Sequence, residues 1–179
     1  MISSWVEKYA PQIDASLGLV LDLACGSGRH TEYLTSLGLN VIALDRDDEI
    51  LKSLCARGFQ CVSCDLEAGP RGRESYVWPF AVDSLAAVVV TNYLHRPLFP
   101  SILASIKRGG ILIYETFAVG NEVYGRPRNP DFLLKENELL QRCVLDSSLG
   151  LAFHCVAFEH VIVNQTAPSV VQRICVRRN

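Results

Sequence analysis

Uninterrupted apolar runs alternate along this chain with stretches of helical spacing, and no other feature of the sequence restricts the fold so strongly. The run LVLDLA, residues 19–24, follows a glycine and contains a single polar residue, which is typical of a strand buried on both faces. Residues 29–37 then have helical spacing, with Tyr33, Leu34 and Leu37 on one face and Gly38 as a stop. A buried strand followed by an amphipathic helix is the unit from which parallel α/β sheets are built.

The same alternation continues through the middle of the chain. Further strands are predicted at NVIALD, FQCVSCD, SLAAVVVTNY and ILIYET. A helix that begins at Asp47 or Asp48 presents an apolar face made of Ile50, Leu51, Leu54 and Cys55. A second helix, predicted to begin near Pro97 and to end at Gly109–Gly110, presents a face made of Leu98, Phe99, Ile102, Leu103 and Ile106.

The C-terminal part contains a predicted helix over residues 136–148 and two strand-like runs, LAFHCVAFEHVIV and SVVQRICVRR. No helix fits between these two runs, so they are predicted to pair as an antiparallel hairpin. The sequence therefore predicts one α/β domain over residues 1–179. Its sheet is Rossmann-like and doubly wound, with seven mainly parallel strands, an antiparallel C-terminal hairpin and helices on both faces.

Residues 117–134, FAVGNEVYGRPRNPDFLL, fit neither the helical nor the strand period. A segment of this length without regular structure inside a compact domain is usually a lid or a binding segment. We expect it to cover a substrate site.

Charge and hydropathy exclude several classes of protein. The net charge is −2, so the sequence lacks the broad basic surface of a nucleic-acid-binding protein. The small basic clusters Arg71/Arg73, Arg126/Arg128 and Arg173/Arg177/Arg178 are predicted to be solvated surface. The apolar runs are too short to span a bilayer and the chain does not begin with a signal peptide, so we expect a cytoplasmic protein. The oligomeric state is left open.

The cysteines do not form a recognisable metal or disulfide framework. There are seven, and only Cys61 and Cys64 have C-x-x-C spacing. A zinc site would need a second such pair or clustered histidines, and a redox pair would usually begin a helix. We expect reduced, mostly buried thiols and no metal.

The stretch VLDLACGSGRH places two glycines where the first strand ends and a helix begins. Gly26 and Gly28 allow a tight turn and let a ligand approach the main chain. Ligands of open α/β sheets bind beyond the carboxyl ends of the strands, and a helix that starts near Gly28 favours an anionic group there.

Three successive predicted strands end in aspartate, namely Asp22, Asp45 and Asp65. Asp45 is placed to accept both hydroxyls of a ribose, and Asp65 lies within reach of a purine amino group. A dinucleotide site would need G-x-G-x-x-G, but Thr31 stands at the third position, and Asp22 would repel a diphosphate. Asp22 suits a cationic ligand that carries an amino group.

These segments resemble those of the class I S-adenosylmethionine (SAM)-dependent methyltransferases. VLDLACGSG is similar to the first motif of that family, with Ala24 in place of its first glycine. ALDRD, SCDLE and KRGGILIYET are similar to the segments at its second, third and fifth strands, and the resemblance covers roughly residues 18–176. Within the family, LDLACGSGRHTEYL resembles small-molecule methyltransferases of the tellurite-resistance type.

The resemblance implies a set of SAM-binding residues. The methionine half would be lined by Asp22, Ala24, Cys25, Gly26 and Gly28. The ribose and adenine would contact Asp45, Arg46, Asp65 and Leu66. The sulfonium and its methyl group would be bordered by Asn92, Tyr93 and Leu94.

The same resemblance implies in-line methyl transfer to a small molecule, with S-adenosylhomocysteine as the product. Candidate catalytic residues are His95, Tyr93 and Arg126, where His95 could act as a base and Arg126 could hold an anionic substrate. Further groups on this rim are Tyr124, Arg128 and Glu115, whereas His30, His154 and His160 are interpreted as structural. Two alternatives stay open: a SAM-binding but catalytically silent scaffold or subunit, and, with less support, an NAD-dependent oxidoreductase.

Overall fold

A seven-stranded sheet forms the centre of the computed structural model, which describes residues 1–68, 77–164 and 167–179. The strands are β1 (Leu19–Leu23), β2 (Asn40–Asp45), β3 (Gln60–Ser63), β4 (Leu85–Thr91), β5 (Ile106–Phe117), β6 (Phe153–Asn164) and β7 (Pro168–Arg178). Their order is β3-β2-β1-β4-β5-β7-β6. The first five strands are parallel to one another, and β7 runs antiparallel to both β5 and β6. The predicted doubly wound sheet with an antiparallel hairpin is confirmed.

Helices cover both faces of the sheet, as predicted. They are α1 (Ser4–Tyr9), α2 (Arg29–Ser36), α3 (Asp48–Ala56), α4 (Phe99–Ser105) and α5 (Glu138–Leu140), which continues as a π-helical turn over Gln141–Leu145. On one face, α1 and α2 pack against strand residues such as Val20, Val89 and Ile113. On the other, α4 and α5 pack against Leu21 and Leu112. Successive residues of β1, β4 and β5 face opposite sides of the sheet, and both sides are covered by helices. The runs are therefore apolar throughout.

The glycine pair Gly109–Gly110 does not end a helix, and this prediction is wrong. Helix α4 ends at Ser105, and both glycines lie inside β5. A Cβ on Gly110 would lie 2.7 Å from the carbonyl oxygen of Ala86 on the neighbouring strand. Gly110 is therefore needed because the two backbones approach closely where the β4–β5 register shifts.

Helix α1 was not predicted from the sequence, because it has only six residues. Ser3 caps it by accepting hydrogen bonds from the backbone N–H groups of Trp5 and Val6. The side chains of Trp5, Val6 and Tyr9 are buried against the sheet. Other boundaries are shorter than predicted, since β3 covers only Gln60–Ser63 and the helix expected over 136–148 covers residues 138–145.

The segment after β5 is irregular, as predicted, but its two ends are held together. The backbone N–H of Leu134 donates to the carbonyl of Phe117, and that of Val119 donates to the carbonyl of Leu134. The Asn121 side chain then ties the turn to β7, because its Oδ1 accepts from the N–H of Val170. The segment is thus anchored beside the carboxyl ends of β4 and β5.

Two surface predictions need correction. Arg173 and Arg178 are not solvated, because Arg173 pairs with Glu159 and Glu115, and Arg178 pairs with Asp83. Arg71 and Arg73 lie outside the described residues. All seven cysteines are free, but Cys55 is exposed and is not part of the apolar face of α3.

Within the described ranges, no group of three or more His, Cys, Asp or Glu side chains could hold a metal ion. In the same part of the chain, no helix is both long and apolar enough to cross a membrane.

Candidate functional site

The turn that follows β1 has an unusual backbone, with Ala24, Gly26 and Gly28 all at positive φ (54°, 52° and 79°). A Cβ on Gly26 would meet no atom within 4 Å, so the space beside this glycine is open. A Cβ on Gly28 would lie 2.3 Å from Leu54 of α3. Gly26 therefore leaves room for a ligand, whereas Gly28 allows α3 to pack closely against the start of α2.

Asp22 is buried beneath this turn at the end of β1. Its carboxylate accepts a 2.6 Å hydrogen bond from the Thr31 hydroxyl, so the residue that replaces the third glycine of a dinucleotide motif has its own role. Burial raises the pKa of Asp22 to about 6, and the hydrogen bonds from Thr31 and the charge of Arg29 oppose this rise. A cationic ligand nearby would favour the ionised form of Asp22.

Asp45 is held at the end of β2 by three backbone N–H groups. Its Oδ2 accepts from Gly26 at 2.9 Å, and its Oδ1 accepts from Arg46 at 2.8 Å and from Asp47 at 3.1 Å. Asp65 follows β3, is exposed, and accepts from the N–H of Glu67. Because β1, β2 and β3 are neighbours in parallel, the structure brings the three aspartates to the same edge of the sheet.

Tyr93 lies on the side of Asp65 and not on the side of Arg126. Burial, followed by the negative charge of the nearby Glu67, raises the pKa of this phenol. The phenol therefore stays protonated at neutral pH. Its neighbour Leu94 is buried in the core, as are Leu66 and Cys25.

A cavity of about 410 Å³, which we call the strand-end cavity, opens beside the carboxyl ends of β4 and β5. Its polar lining includes Arg29, Asn92, Glu115, Asn121, Tyr124 and Arg126. Asn92 and Arg126 thus both line the cavity, whereas His95 and Tyr93 do not. Arg128 and Arg46 also lie outside its lining.

Positive charge dominates the strand-end cavity. Glu115 is paired with Arg173 at 3.4 Å. Within the described part of the chain, neither Arg29 nor Arg126 has a carboxylate within ion-pair distance. Arg29 was not predicted as a site residue, although its position directly after Gly28 could have indicated it.

Arg96, which follows the candidate His95, was also missed. Its guanidinium binds both carboxylate oxygens of Glu138, at 2.8 and 2.9 Å, and the carbonyls of Asp131 and Leu133. Burial works against ionisation of Glu138, but these bonds, together with those from Lys135 N–H and Arg142, hold its pKa at about 2. Arg96 therefore fastens the end of the 117–134 segment to the turn that follows β4.

His30 has a structural role. Its Nε2 accepts a hydrogen bond from the Ser3 N–H at 3.1 Å, and its Nδ1 lies 3.2 Å from the Thr91 hydroxyl. Burial, followed by the charge of Arg29, lowers its pKa to about 4, so the ring is neutral at physiological pH. His30 thus connects the N-terminal segment to the strand ends.

This arrangement fits SAM better than a dinucleotide. The buried carboxyl beneath the turn favours a positive ligand and disfavours a diphosphate, whereas the open space at Gly26 and the aspartate at the end of β2 suit either ligand. The sheet order, the reversed β7 and this site together define a class I SAM-dependent methyltransferase. Residues 8–139 match the model of the family described as tellurite resistance protein TehB, and the chain belongs to that family.

Solved structures agree with this assignment at the level of the fold. TehB from Haemophilus influenzae is 21% identical with a TM-score of 0.72, and the match covers 99% of this chain and 63% of that one. A SAM-dependent methyltransferase from Mesorhizobium loti is 15% identical with a TM-score of 0.69, over 98% of this chain and 99% of that one. The 1,6-didemethyltoxoflavin-N1-methyltransferase of Burkholderia thailandensis, solved with that compound and S-adenosylhomocysteine bound, is 16% identical with a TM-score of 0.64, over 98% and 79%. No curated protein sequence matches the chain significantly.

Proposed function

We propose that this methyltransferase binds SAM at the β1–β2 strand ends and methylates a small molecule held in the strand-end cavity. The observation that carries the proposal is the position of this cavity. Arg29 at the start of α2 and Asn92 after β4 line one side of the cavity, and residues of the 117–134 segment form its far wall. A ligand in the cavity would lie directly beside the cofactor turn.

The cofactor residues proposed from the sequence have consistent roles in this arrangement. Ala24, Cys25, Gly26 and Gly28 would line the methionine half, with Asp22 favouring its positive charge. Asp45 would accept the ribose hydroxyls, and Arg46, Asp65 and Leu66 would surround the adenine. When bound, SAM supplies an activated methyl group, so the protein has to align the acceptor and exclude water.

Several observations support a small acceptor. The cavity volume of about 410 Å³ is in the range of small-molecule sites. One structural relative was solved with a small heterocycle bound. The anchored 117–134 segment would serve as the lid, and Arg126 would hold an anionic group of the acceptor. Tyr93 would pack beside the cofactor from the turn after β4, whereas His95 does not line the cavity and would not contact an acceptor held there.

The proposal is tested by incubating the protein with SAM labelled on its methyl group and an extract of the expressing cells, separated by dialysis. We expect label to enter the dialysable fraction only. Label in the retained fraction would indicate a macromolecular acceptor, and SAM binding without any transfer would support a silent scaffold. A cytoplasmic location and the lack of a nucleic-acid partner stay predictions.

A further inference from the structure

We infer that Glu115 binds an N–H or O–H group of the acceptor through its Oε1 atom, so that the acceptor is an amine or a hydroxyl compound. This inference rests on the proposed function, because it concerns the same cavity. Glu115 ends the core part of β5, is only 8% exposed, and lines the strand-end cavity. The carboxylate therefore borders space that a ligand can occupy.

Only one oxygen of the Glu115 carboxylate contacts a charged partner among the described residues. Its Oε2 lies 3.4 Å from Arg173, but the shorter contacts of that guanidinium, 2.6 and 2.8 Å, go to Glu159. Arg173 is further held over the ring of Trp5, with 4.8 Å between its Cζ and the ring centroid. Among the described residues, none donates a hydrogen bond to Oε1. A ligand in the cavity that carries a donor group can therefore hydrogen-bond to Oε1.

Glu115 lies close to the proposed position of the methyl group. It pairs in register with Thr91, and its backbone carbonyl accepts a 2.9 Å hydrogen bond from the N–H of Asn92. Asn92 is the residue that would border the sulfonium. Glu115 would therefore contact the atom that receives the methyl group, whereas Arg126 contacts a more distant anionic group.

The identity of the acceptor is not needed to test this placement. Sinefungin is a SAM analogue that carries a primary ammonium group where SAM carries the sulfonium methyl. A carboxylate facing that position forms a charge-assisted hydrogen bond with sinefungin but not with S-adenosylhomocysteine. Calorimetric titration of the wild type and of Glu115→Gln with both ligands measures this difference directly.

We expect Glu115→Gln to weaken sinefungin binding by about tenfold or more and to change S-adenosylhomocysteine binding by less than about twofold. Glu115→Asp keeps the negative charge but, with a side chain one methylene shorter, holds it further from the ligand. This variant should give an intermediate loss of sinefungin affinity. Glu159→Gln is the matched control, since it contacts the same Arg173 but does not line the cavity, and should bind both ligands as the wild type does.

Equal weakening of both ligands in Glu115→Gln, or no change for either, would overturn the assignment of Glu115. Failure of the wild type to bind S-adenosylhomocysteine at all would contradict the proposed function instead, so the two failures are distinguishable. Transfer of the labelled methyl group to a sulfur or carbon atom would also overturn the inference.

Discussion

The backbone N–H of Gly26 donates a 2.9 Å hydrogen bond to Oδ2 of Asp45, a residue 19 positions further along the chain. This bond joins the turn after β1 to the end of β2. The carboxylate that would bind the ribose is therefore also the group that fixes the turn. The two parts of the cofactor site are coupled through one side chain.

Replacing Asp45 with alanine should remove most of the affinity for SAM. The substitution deletes the acceptor for the ribose hydroxyls and releases the Gly26 N–H. Charge-assisted hydrogen bonds of this kind contribute about 1.5–3 kcal/mol each, so we expect an affinity loss of about tenfold or more by calorimetry.

Asp14→Ala provides the control for that experiment. Asp14 accepts hydrogen bonds from the N–H and hydroxyl of Ser16, so it also caps a turn, but it precedes β1 at the opposite end of the strand. This variant should bind SAM as tightly as the wild type. Equal losses in the two variants would show that Asp45 acts only on the fold.

Gly26→Ala should block the cofactor, and Gly38→Ala should not. Both glycines have positive φ, 52° and 80°, and a Cβ on either would meet no protein atom within 4 Å. Both variants should therefore lose a similar free energy of unfolding, about 1 kcal/mol. Only Gly26 lies at the strand ends of the proposed cofactor site, so only Gly26→Ala should lose SAM affinity, and retained affinity would remove Gly26 from the site.

Ala24→Gly should stabilise the protein or leave it unchanged. Ala24 has φ of 54°, which costs a non-glycine residue about 1 kcal/mol or more. Glycine relieves this strain but gains freedom in the unfolded chain, so the net gain should be up to about 1 kcal/mol in urea unfolding. Clear destabilisation would mean that the Ala24 side chain makes contacts worth more than the strain.

Asp22→Asn should raise the free energy of unfolding at pH 7 while weakening SAM binding. Burial raises the pKa of Asp22 from 3.8 to about 6, so between these values the folded protein holds a proton that the unfolded chain releases. The contribution of Asp22 to stability therefore falls as the pH rises from about 4 to about 6. Asparagine removes this loss, and the pH dependence over that range should change accordingly in urea unfolding.

The same pKa predicts that SAM binding releases a proton near pH 6, because a positive ligand favours ionised Asp22. Calorimetry at that pH in two buffers of different ionisation enthalpy measures the release. Proton release that persists in Asp22→Asn would assign it to another group.

Local patterns predicted most of the fold, because the residues that define each buried strand and each amphipathic helix are close together in the sequence. The wrong or absent predictions concern features that depend on contacts between residues distant in the sequence or on very short elements. Gly109–Gly110 has the local signature of a helix end, but the reason for Gly110 is the carbonyl of Ala86 on the neighbouring strand. Helix α1 is too short for its period to stand out, and only its packing against the sheet reveals it.

The cofactor turn was predictable because its residues are contiguous, whereas the cavity was not. Arg96 and Glu138 are 42 residues apart, and Glu115 and Arg173 are 58 apart. No spacing rule connects such pairs. The pairing of β5 with β7 brings Glu115 to Arg173, and the contact between α5 and the turn after β4 brings Glu138 to Arg96. The placement of Tyr93 toward Glu67 also depends on tertiary packing.

The most direct test of this account is calorimetric titration of the wild-type chain with SAM, S-adenosylhomocysteine and NAD. We predict that SAM and S-adenosylhomocysteine bind in the micromolar range, about −8 kcal/mol, and that NAD does not bind. Binding of NAD alone, or of none of the three, would contradict the assignment of the Gly26–Asp45 turn to SAM.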